Sequence, residues 1–161
     1  MSLRAKLLPA TNVVSDLAAS SKKRLFEQLG LLFENHHGIA RGMVFESLFA
    51  RERLGSTGLG QGVAIPHGRI KSIKDALGAF VRLAQPVPFD APDGKPVSLV
   101  FALLVPEHAT EKHLEILSEL AQMFSDRALR EAMALAPDAA ALHQIICAWH
   151  PDASGQRRAV A

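Results

Sequence analysis

Apolar residues recur every three or four positions in five stretches of the chain, which is the pattern of amphipathic helices. The five predicted helices span about Lys22–Asn35, Arg41–Arg53, Glu111–Phe124, Arg127–Ala134 and Asp138–Ala148. Ser20 and Ser21 are candidate N-caps of the first helix, because a serine hydroxyl can accept a hydrogen bond from an unpaired amide of the first turn. Gly38 is the candidate residue that ends it.

Strand patterns lie before and between these helices. The predicted strands span Ala5–Leu8, Val63–Ile65, Ala76–Leu83 and Val97–Val105. The last of them, VSLVFALLV, is almost wholly apolar, which is typical of a central strand buried on both faces. The first is followed by Pro9 and is expected at a sheet edge. We therefore predict one α/β domain over residues 1–150 with a mixed sheet, and a disordered tail over residues 151–161.

The composition narrows the class of protein. Of the 161 residues, 48% are hydrophobic and 21% are charged, as in ordinary globular proteins. The 18 basic and 16 acidic residues are too evenly balanced to indicate nucleic-acid binding. We find no apolar run of about 18 residues, so no membrane insertion is expected. The single cysteine and the lack of a signal-peptide pattern favour a cytoplasmic location.

A glycine-rich stretch, GSTGLGQGVAIPHGR, runs from Gly55 to Arg69. It lacks the Lys-Ser/Thr pair of a Walker loop, and it follows a predicted helix, whereas a dinucleotide fingerprint follows a strand. Two interpretations remain open: a flexible connector, or a nest of backbone N–H groups that binds a phosphate. For the nest, the candidate phosphate-binding residues are Ser56, Thr57, Gly58, Gly60 and Gly68.

His67 is the candidate nucleophile for such a phosphate. It follows the predicted strand that ends at Ile65, and it lies between Pro66 and Gly68. An imidazole with an ordinary pKa near 6.5 is largely neutral at neutral pH, so one ring nitrogen could attack a phosphoryl group. A histidine at a strand end also has an ordinary structural interpretation.

Two further side chains are candidates for the same site. His113 lies three residues after the candidate N-cap Thr110 and in helical register with Leu117. It is either a core histidine or a neighbour of an anion bound by first-turn amides. Arg51 precedes the glycine-rich stretch by four residues and is either a surface arginine or a ligand of phosphate oxygens. The other histidines show no metal-ligand spacing, so neither a metal nor a cofactor is expected.

The segment RERLGSTGLGQGVAIPHGR, from Arg51 to Arg69, closely resembles a known signature. It is the signature of the enzyme IIA components of the phosphoenolpyruvate-dependent sugar phosphotransferase system, mannitol/fructose superfamily, and it is most similar to the nitrogen-regulatory branch. A second segment, LLVPEHATEKHLEILSELAQMFSD from Leu103 to Asp126, resembles another conserved block of that family. Leu59 stands where the family often has isoleucine, which is a volume-conserving change.

The resemblance implies a fold and a set of roles. The implied fold is a five-stranded mixed sheet with helices on both faces. His67 matches the phosphorylated histidine, His113 the second active-site histidine and Arg51 the active-site arginine, and Ser56 lies beside them. The implied phosphoryl donor is a histidine-containing phosphocarrier protein, which is itself charged from phosphoenolpyruvate through enzyme I.

Three functions remain open. The first is a regulatory phosphoryl carrier that signals nitrogen, carbon or potassium status to target proteins. The second is a sugar-specific IIA component that passes phosphate to a IIB domain, and the third is a binding-only regulatory domain that has lost the chemistry. The presence of both His67 and His113 disfavours the third. The 161 residues leave no room for a fused IIB domain, which favours the first, while the oligomeric state stays open.

Overall fold

The computed structural model describes residues 6–108, 111–151 and 157–158. Its described residues form five α-helices: α1 (Lys22–His37), α2 (Arg41–Glu52), α3 (Glu111–Phe124), α4 (Arg127–Leu135) and α5 (Ala139–Ala148). The strands are β1 (Val13–Leu17), β2 (Gly58–Gly60), β3 (Val63–Ala64), β4 (His67–Ile70), β5 (Leu77–Val87), β6 (Val97–Pro106), β7 (His150–Pro151) and β8 (Arg157–Arg158). The five predicted helices are confirmed.

The main sheet is mixed and follows the order β1-β5-β6-β3-β2, with β4 also paired to β6. Strands β3 and β4 both run parallel to β6 in one register, because Val63 pairs with Leu99 and His67 pairs with Leu103. They are two segments of one strand, interrupted at Pro66, which has no N–H to donate. Six strands thus occupy five positions, and the five-stranded mixed sheet is confirmed.

Helices cover both faces of this sheet. Strand β6 alternates its side chains between two cores: Phe101 and Leu103 face one, while Ala102 and Leu104 face the other. The first core contains α3, α4 and α5, and the second contains α1 and α2. Burial of β6 on both faces explains its almost wholly apolar sequence and confirms that prediction.

The first helix begins and ends at the capping residues that the sequence predicts. The Ser21 hydroxyl accepts a hydrogen bond from the amide of Arg24 at 3.1 Å, and Gly38 closes α1 with a φ of 68°. Asp126 caps α4 and also accepts a hydrogen bond from the Trp149 indole at 2.9 Å. This bond ties the start of α4 to the residue that ends α5. Such caps each stabilise a helix by about 0.5–2 kcal/mol.

The predicted edge strand at Ala5–Leu8 is wrong. Residue 5 lies outside the described residues, Lys6 is helical, and Leu7 and Leu8 are both buried in the core beneath α3–α5. Consecutive residues of a strand point to opposite faces, so two adjacent leucines buried in one core do not fit a regular strand. The edge strand is instead β1, which runs parallel to β5.

Two further predictions fall largely outside the described residues. In the predicted tail over residues 151–161, β7 pairs with β8, and residues 152–156 and 159–161 are not described. The disorder of this tail therefore stays a prediction. The N-cap Thr110 is likewise not described. Within the described ranges, no helix is both long enough and apolar enough to cross a membrane.

Candidate functional site

His67 begins β4, directly after the break at Pro66. Its half-buried ring places Nδ1 2.9 Å from the backbone oxygen of Ile65. A carbonyl oxygen can only accept a hydrogen bond, so Nδ1 carries the proton. In the neutral ring, Nε2 therefore keeps its lone pair. The break in the strand thus orients the imidazole and selects its tautomer.

Burial lowers the pKa of His67 below its ordinary value of 6.5, because the surroundings disfavour the charged ring. The hydrogen bond to the Ile65 carbonyl acts in the opposite direction. The positive charge of Arg51 and the neighbouring His113 lower the pKa further, while the Glu52 carboxylate raises it. The net effect is a neutral ring at neutral pH, as a nucleophile requires.

The structure brings the three candidate side chains together. His67, Arg51 and His113 line one surface depression of about 510 Å³ between α2, β4 and α3. Gly68 and Arg69 also line it, and none of its lining residues carries a carboxylate. The depression therefore has a positive electrostatic character that suits an anion.

The predicted phosphate-binding residues lie mostly on the other side of the His67 ring. Ser56, Thr57 and Gly58 line a second depression of about 300 Å³ beneath α3. Arg51 and His67 line both depressions, so these two side chains form the boundary between them. Gly60 lines neither.

Close packing and positive φ angles explain several of the glycines. A Cβ at Gly68 would lie 2.8 Å from the backbone carbon of Ser47, so only glycine lets α2 approach β4 this closely. A Cβ at Gly58 would lie 2.9 Å from the Ala91 Cβ. Gly60 adopts a φ of 89°, which favours glycine. These structural roles leave the predicted contacts with phosphate as predictions.

A buried carboxylate that the sequence analysis missed holds the glycine-rich stretch in place. Glu52 accepts hydrogen bonds from the Thr57 hydroxyl at 2.6 Å and from the Thr57 amide at 3.1 Å. Lys22 pairs with the same carboxylate at 2.9 Å. The Ser56 hydroxyl donates to the Phe89 carbonyl at 2.5 Å. The stretch after α2 is therefore an anchored loop, and the interpretation as a flexible connector is wrong.

Two arginines that line the His67 depression donate hydrogen bonds to backbone carbonyls. Arg51 donates from Nη1 to the Gly55 carbonyl at 2.8 Å, which uses one of its five N–H groups. Arg69, which the sequence analysis did not single out, donates to the Glu107 carbonyl at 3.0 Å. The sequence could have pointed to Arg69, because it lies two residues after His67. Alternate residues of a strand lie on the same side of the sheet.

Comparison with known proteins identifies the family. The family model described as "Phosphoenolpyruvate-dependent sugar phosphotransferase system, EIIA 2" matches residues 6–148. The chain belongs to this EIIA 2 family. Its mixed sheet with helices on both faces is the fold of that family's solved structures.

Relatives of this EIIA 2 chain include proteins named for nitrogen regulation. A nitrogen regulatory protein of Pseudomonas aeruginosa is 44% identical over 147 residues, which cover 87% of this chain and 91% of the relative. The crystal structure of the nitrogen regulatory protein IIA-Ntr from Neisseria meningitidis superposes with a TM-score of 0.84, and its sequence is 56% identical. The match covers 88% of this chain and 97% of the Neisseria chain. IIA mannitol of Escherichia coli is 19% identical and has a TM-score of 0.70, and the match covers 83% of this chain and 94% of the mannitol protein. At this identity the similarity supports the fold alone.

Apolar side chains near the EIIA 2 site fall into a buried and an exposed group. Val63 and Ile65 are 1% and 4% exposed and belong to the core. Leu59 is exposed, and so are Leu54 and Leu114, at 83% and 61%. Leu54 lines the His67 depression and Leu59 lines the neighbouring one. Exposed leucines therefore flank the histidine on both sides.

Among the described residues, no group of three or more His, Cys, Asp or Glu side chains could hold a metal ion. Charge at the His67 depression comes from protein side chains, chiefly the guanidinium groups of Arg51 and Arg69.

Proposed function

We propose that this EIIA 2 protein accepts a phosphoryl group on Nε2 of His67 from a histidine-containing phosphocarrier protein. We further propose that its phosphorylation state regulates a target protein. The observation that carries the proposal is the 2.9 Å hydrogen bond from Nδ1 to the Ile65 carbonyl, which makes Nε2 the nucleophilic nitrogen. Among the described residues, none forms a hydrogen bond with Nε2.

The transfer step follows from this tautomer. The Nε2 lone pair forms a bond to phosphorus, the bond from phosphorus to the donor's imidazole nitrogen breaks, and its electron pair stays with the donor. Nδ1 keeps its proton throughout, so no separate base is needed. The positive charge that the ring gains is stabilised by the Ile65 carbonyl, and the nearby Glu52 carboxylate adds to this effect.

Cationic groups and N–H donors stabilise the transferring phosphoryl group in this proposal. Arg51, His113 and Arg69 line the same depression as His67 and supply donors for the three phosphoryl oxygens. The guanidinium groups do so without losing a proton, since arginine stays charged in proteins. The exposed side chains of Leu54, Leu59 and Leu114 form the docking rim for the phosphocarrier protein.

The regulatory part rests on the relatives named nitrogen regulatory protein and on the charge of the depression. Phosphorylation adds about −1.5 to −2 charges to a site lined by Arg51 and Arg69. A target with an acidic surface would bind the unphosphorylated form and be repelled by the phosphorylated one. A coupling of about 1–3 kcal/mol, or about 5–150-fold in affinity, is ordinary for such a change.

Affinity capture from cell extract tests this regulatory function. The baits are the wild-type chain before and after phosphorylation, His67→Ala, and His67→Glu as a charge mimic. We expect a target that binds wild type and His67→Ala and is lost from the phosphorylated chain and His67→Glu. Efficient transfer of the phosphate to a sugar IIB protein, with transport of that sugar dependent on it, would instead establish the sugar-specific function.

The lowered pKa of His67 predicts a pH dependence. Since only the neutral ring attacks phosphorus, uptake should persist at pH 6.5 and fall only as the pH drops through the lowered pKa. Nuclear magnetic resonance titration of the His67 ring should give a midpoint below 6.5. The exposed His36 serves as the comparison in the same spectra. A His67 midpoint at or above 6.5 contradicts the prediction.

The same shift has a consequence for stability. Between the lowered pKa and 6.5, the unfolded chain binds a proton at His67 that the folded chain does not. The contribution of His67 to the free energy of unfolding is therefore present above pH 6.5 and is lost as the pH falls through the lowered pKa.

A further inference from the structure

A third depression, of about 420 Å³, shares a wall with the His67 depression. Three basic side chains line it: Lys6 from the N-terminal helical turn, Lys74 from the segment before β5, and Lys112 from the first turn of α3. Val105 and His113 line both this depression and the one at His67. We call it the lysine depression.

The charges of the lysine depression are unbalanced. Its lining includes three lysines and one acidic residue, Asp75, all of them exposed at the surface. Within the described part of the chain, the ion pairs are formed by other basic residues, and none involves Lys6, Lys74 or Lys112. Three segments that are distant in sequence thus contribute lysines to one concave surface, where the excess of positive charge favours an anion.

The walls of the lysine depression add an apolar component. Leu7, Val105 and Ile116 line it and are almost fully buried in the core. A volume of this size falls in the range of small-molecule sites, which combine apolar walls with a few charged groups. The combination favours a small organic anion.

We propose that the lysine depression binds a compact metabolite that carries two negative charges, either as carboxylates or as a phosphate ester. Lys74 and Lys112 bind the charged groups, and the carbon portion of the ligand contacts Ala76 and Pro106, which line the depression and are partly exposed. The ligand would also contact His113, which lines the His67 depression on its other side. The inference does not depend on the proposed phosphoryl transfer, because binding can be measured on the unphosphorylated chain.

Isothermal titration calorimetry and two-dimensional nuclear magnetic resonance test the site. The probes are succinate as the dicarboxylate, glycerol 3-phosphate as the phosphate ester, and butyrate as a control with one charge. We expect one of the two dianions to bind at a single site with a Kd of about 1 mM or tighter. Butyrate should bind about tenfold more weakly, because it forms one charged contact fewer. The dianion that binds better identifies the ligand's charged group.

Variants locate the binding. The Lys74→Gln/Lys112→Gln protein should lose about 100-fold in affinity, at about tenfold per charged contact. Lys23→Gln is the matched control, because Lys23 is an exposed lysine on α1, across the sheet from this depression. Thermal unfolding checks that each variant is folded. Affinity should also fall as ionic strength rises.

Three results overturn the inference. The first is the absence of saturable dianion binding up to about 10 mM. The second is binding that Lys74→Gln/Lys112→Gln leaves unchanged. The third is loss of binding in Arg51→Gln, which would place the anion in the His67 depression instead. Phosphate uptake on His67 is measured separately, so a failure of the proposed function and a failure of the lysine depression remain distinguishable.

Discussion

We expect the His67→Ala variant to take up no phosphate from a charged phosphocarrier protein, and we expect the wild-type chain to take up one phosphoryl group per molecule. This is the expected result with the largest effect, because alanine removes the only atom that forms the bond to phosphorus in the proposed step. Intact-mass spectrometry after incubation with enzyme I, the phosphocarrier protein and phosphoenolpyruvate measures it. The phosphate on wild type should be lost in acid, as a phosphorus–nitrogen bond requires.

The control for this experiment is His36→Ala. His36 is exposed in the last turn of α1 and far in sequence from the glycine-rich stretch, so its removal should leave uptake unchanged. Thermal unfolding of His67→Ala shows whether the loss of the half-buried ring has disturbed the fold. Uptake of an acid-labile phosphate by folded His67→Ala would show that another histidine is the acceptor.

The fold could be predicted from the sequence where hydrophobic periodicity is strong. The apolar run of β6 and the register of apolar positions in α3 define the centre of the sheet and a covering helix. Local patterns fail where tertiary contacts decide the conformation. Leu7 and Leu8 have the local pattern of a strand, yet both are buried beneath α3–α5, which a regular strand does not allow.

The site was predictable as a set of residues but not as an arrangement. His67, Arg51 and His113 are distant in sequence, and the resemblance to a family grouped them before the structure did. Glu52 was missed because a glutamate near a helix end is usually exposed, and only the fold buries it beside Lys22 and Thr57.

The glycine-rich stretch has structural roles that sequence composition alone does not reveal. Its glycines suggested a set of amides free to hold a phosphate. In the structure the Thr57 amide bonds to Glu52, and the Gly58 amide bonds to the Ser56 hydroxyl at 3.0 Å. Gly58 and Gly68 allow close approach of Ala91 and Ser47. Backbone freedom here is used largely for packing around the histidine.

The second large expected effect concerns His113. His113 lies in the first turn of α3, is half-buried and lines the depression that holds His67 and Arg51. If it donates a hydrogen bond to the transferring phosphoryl group, its removal should cost about as much as the loss of one oxyanion donor. We therefore expect His113→Ala to slow phosphate uptake by about 10²–10³-fold. Rapid-quench measurement of the single-turnover transfer rate checks this.

The kinetic pattern separates a catalytic role of His113 from docking and from packing. A donor to the transferring group should lower kcat with little change in the KM for the phosphocarrier protein, whereas a docking residue should raise KM. His113→Gln, which keeps an N–H donor, should recover part of the rate if hydrogen bonding is the cause. Glu115→Ala, an exposed change on the same helix, is the matched control and should transfer at the wild-type rate. Wild-type kinetics in folded His113→Ala would leave His113 as a packing residue and assign the stabilisation of the phosphoryl oxygens to Arg51 and Arg69.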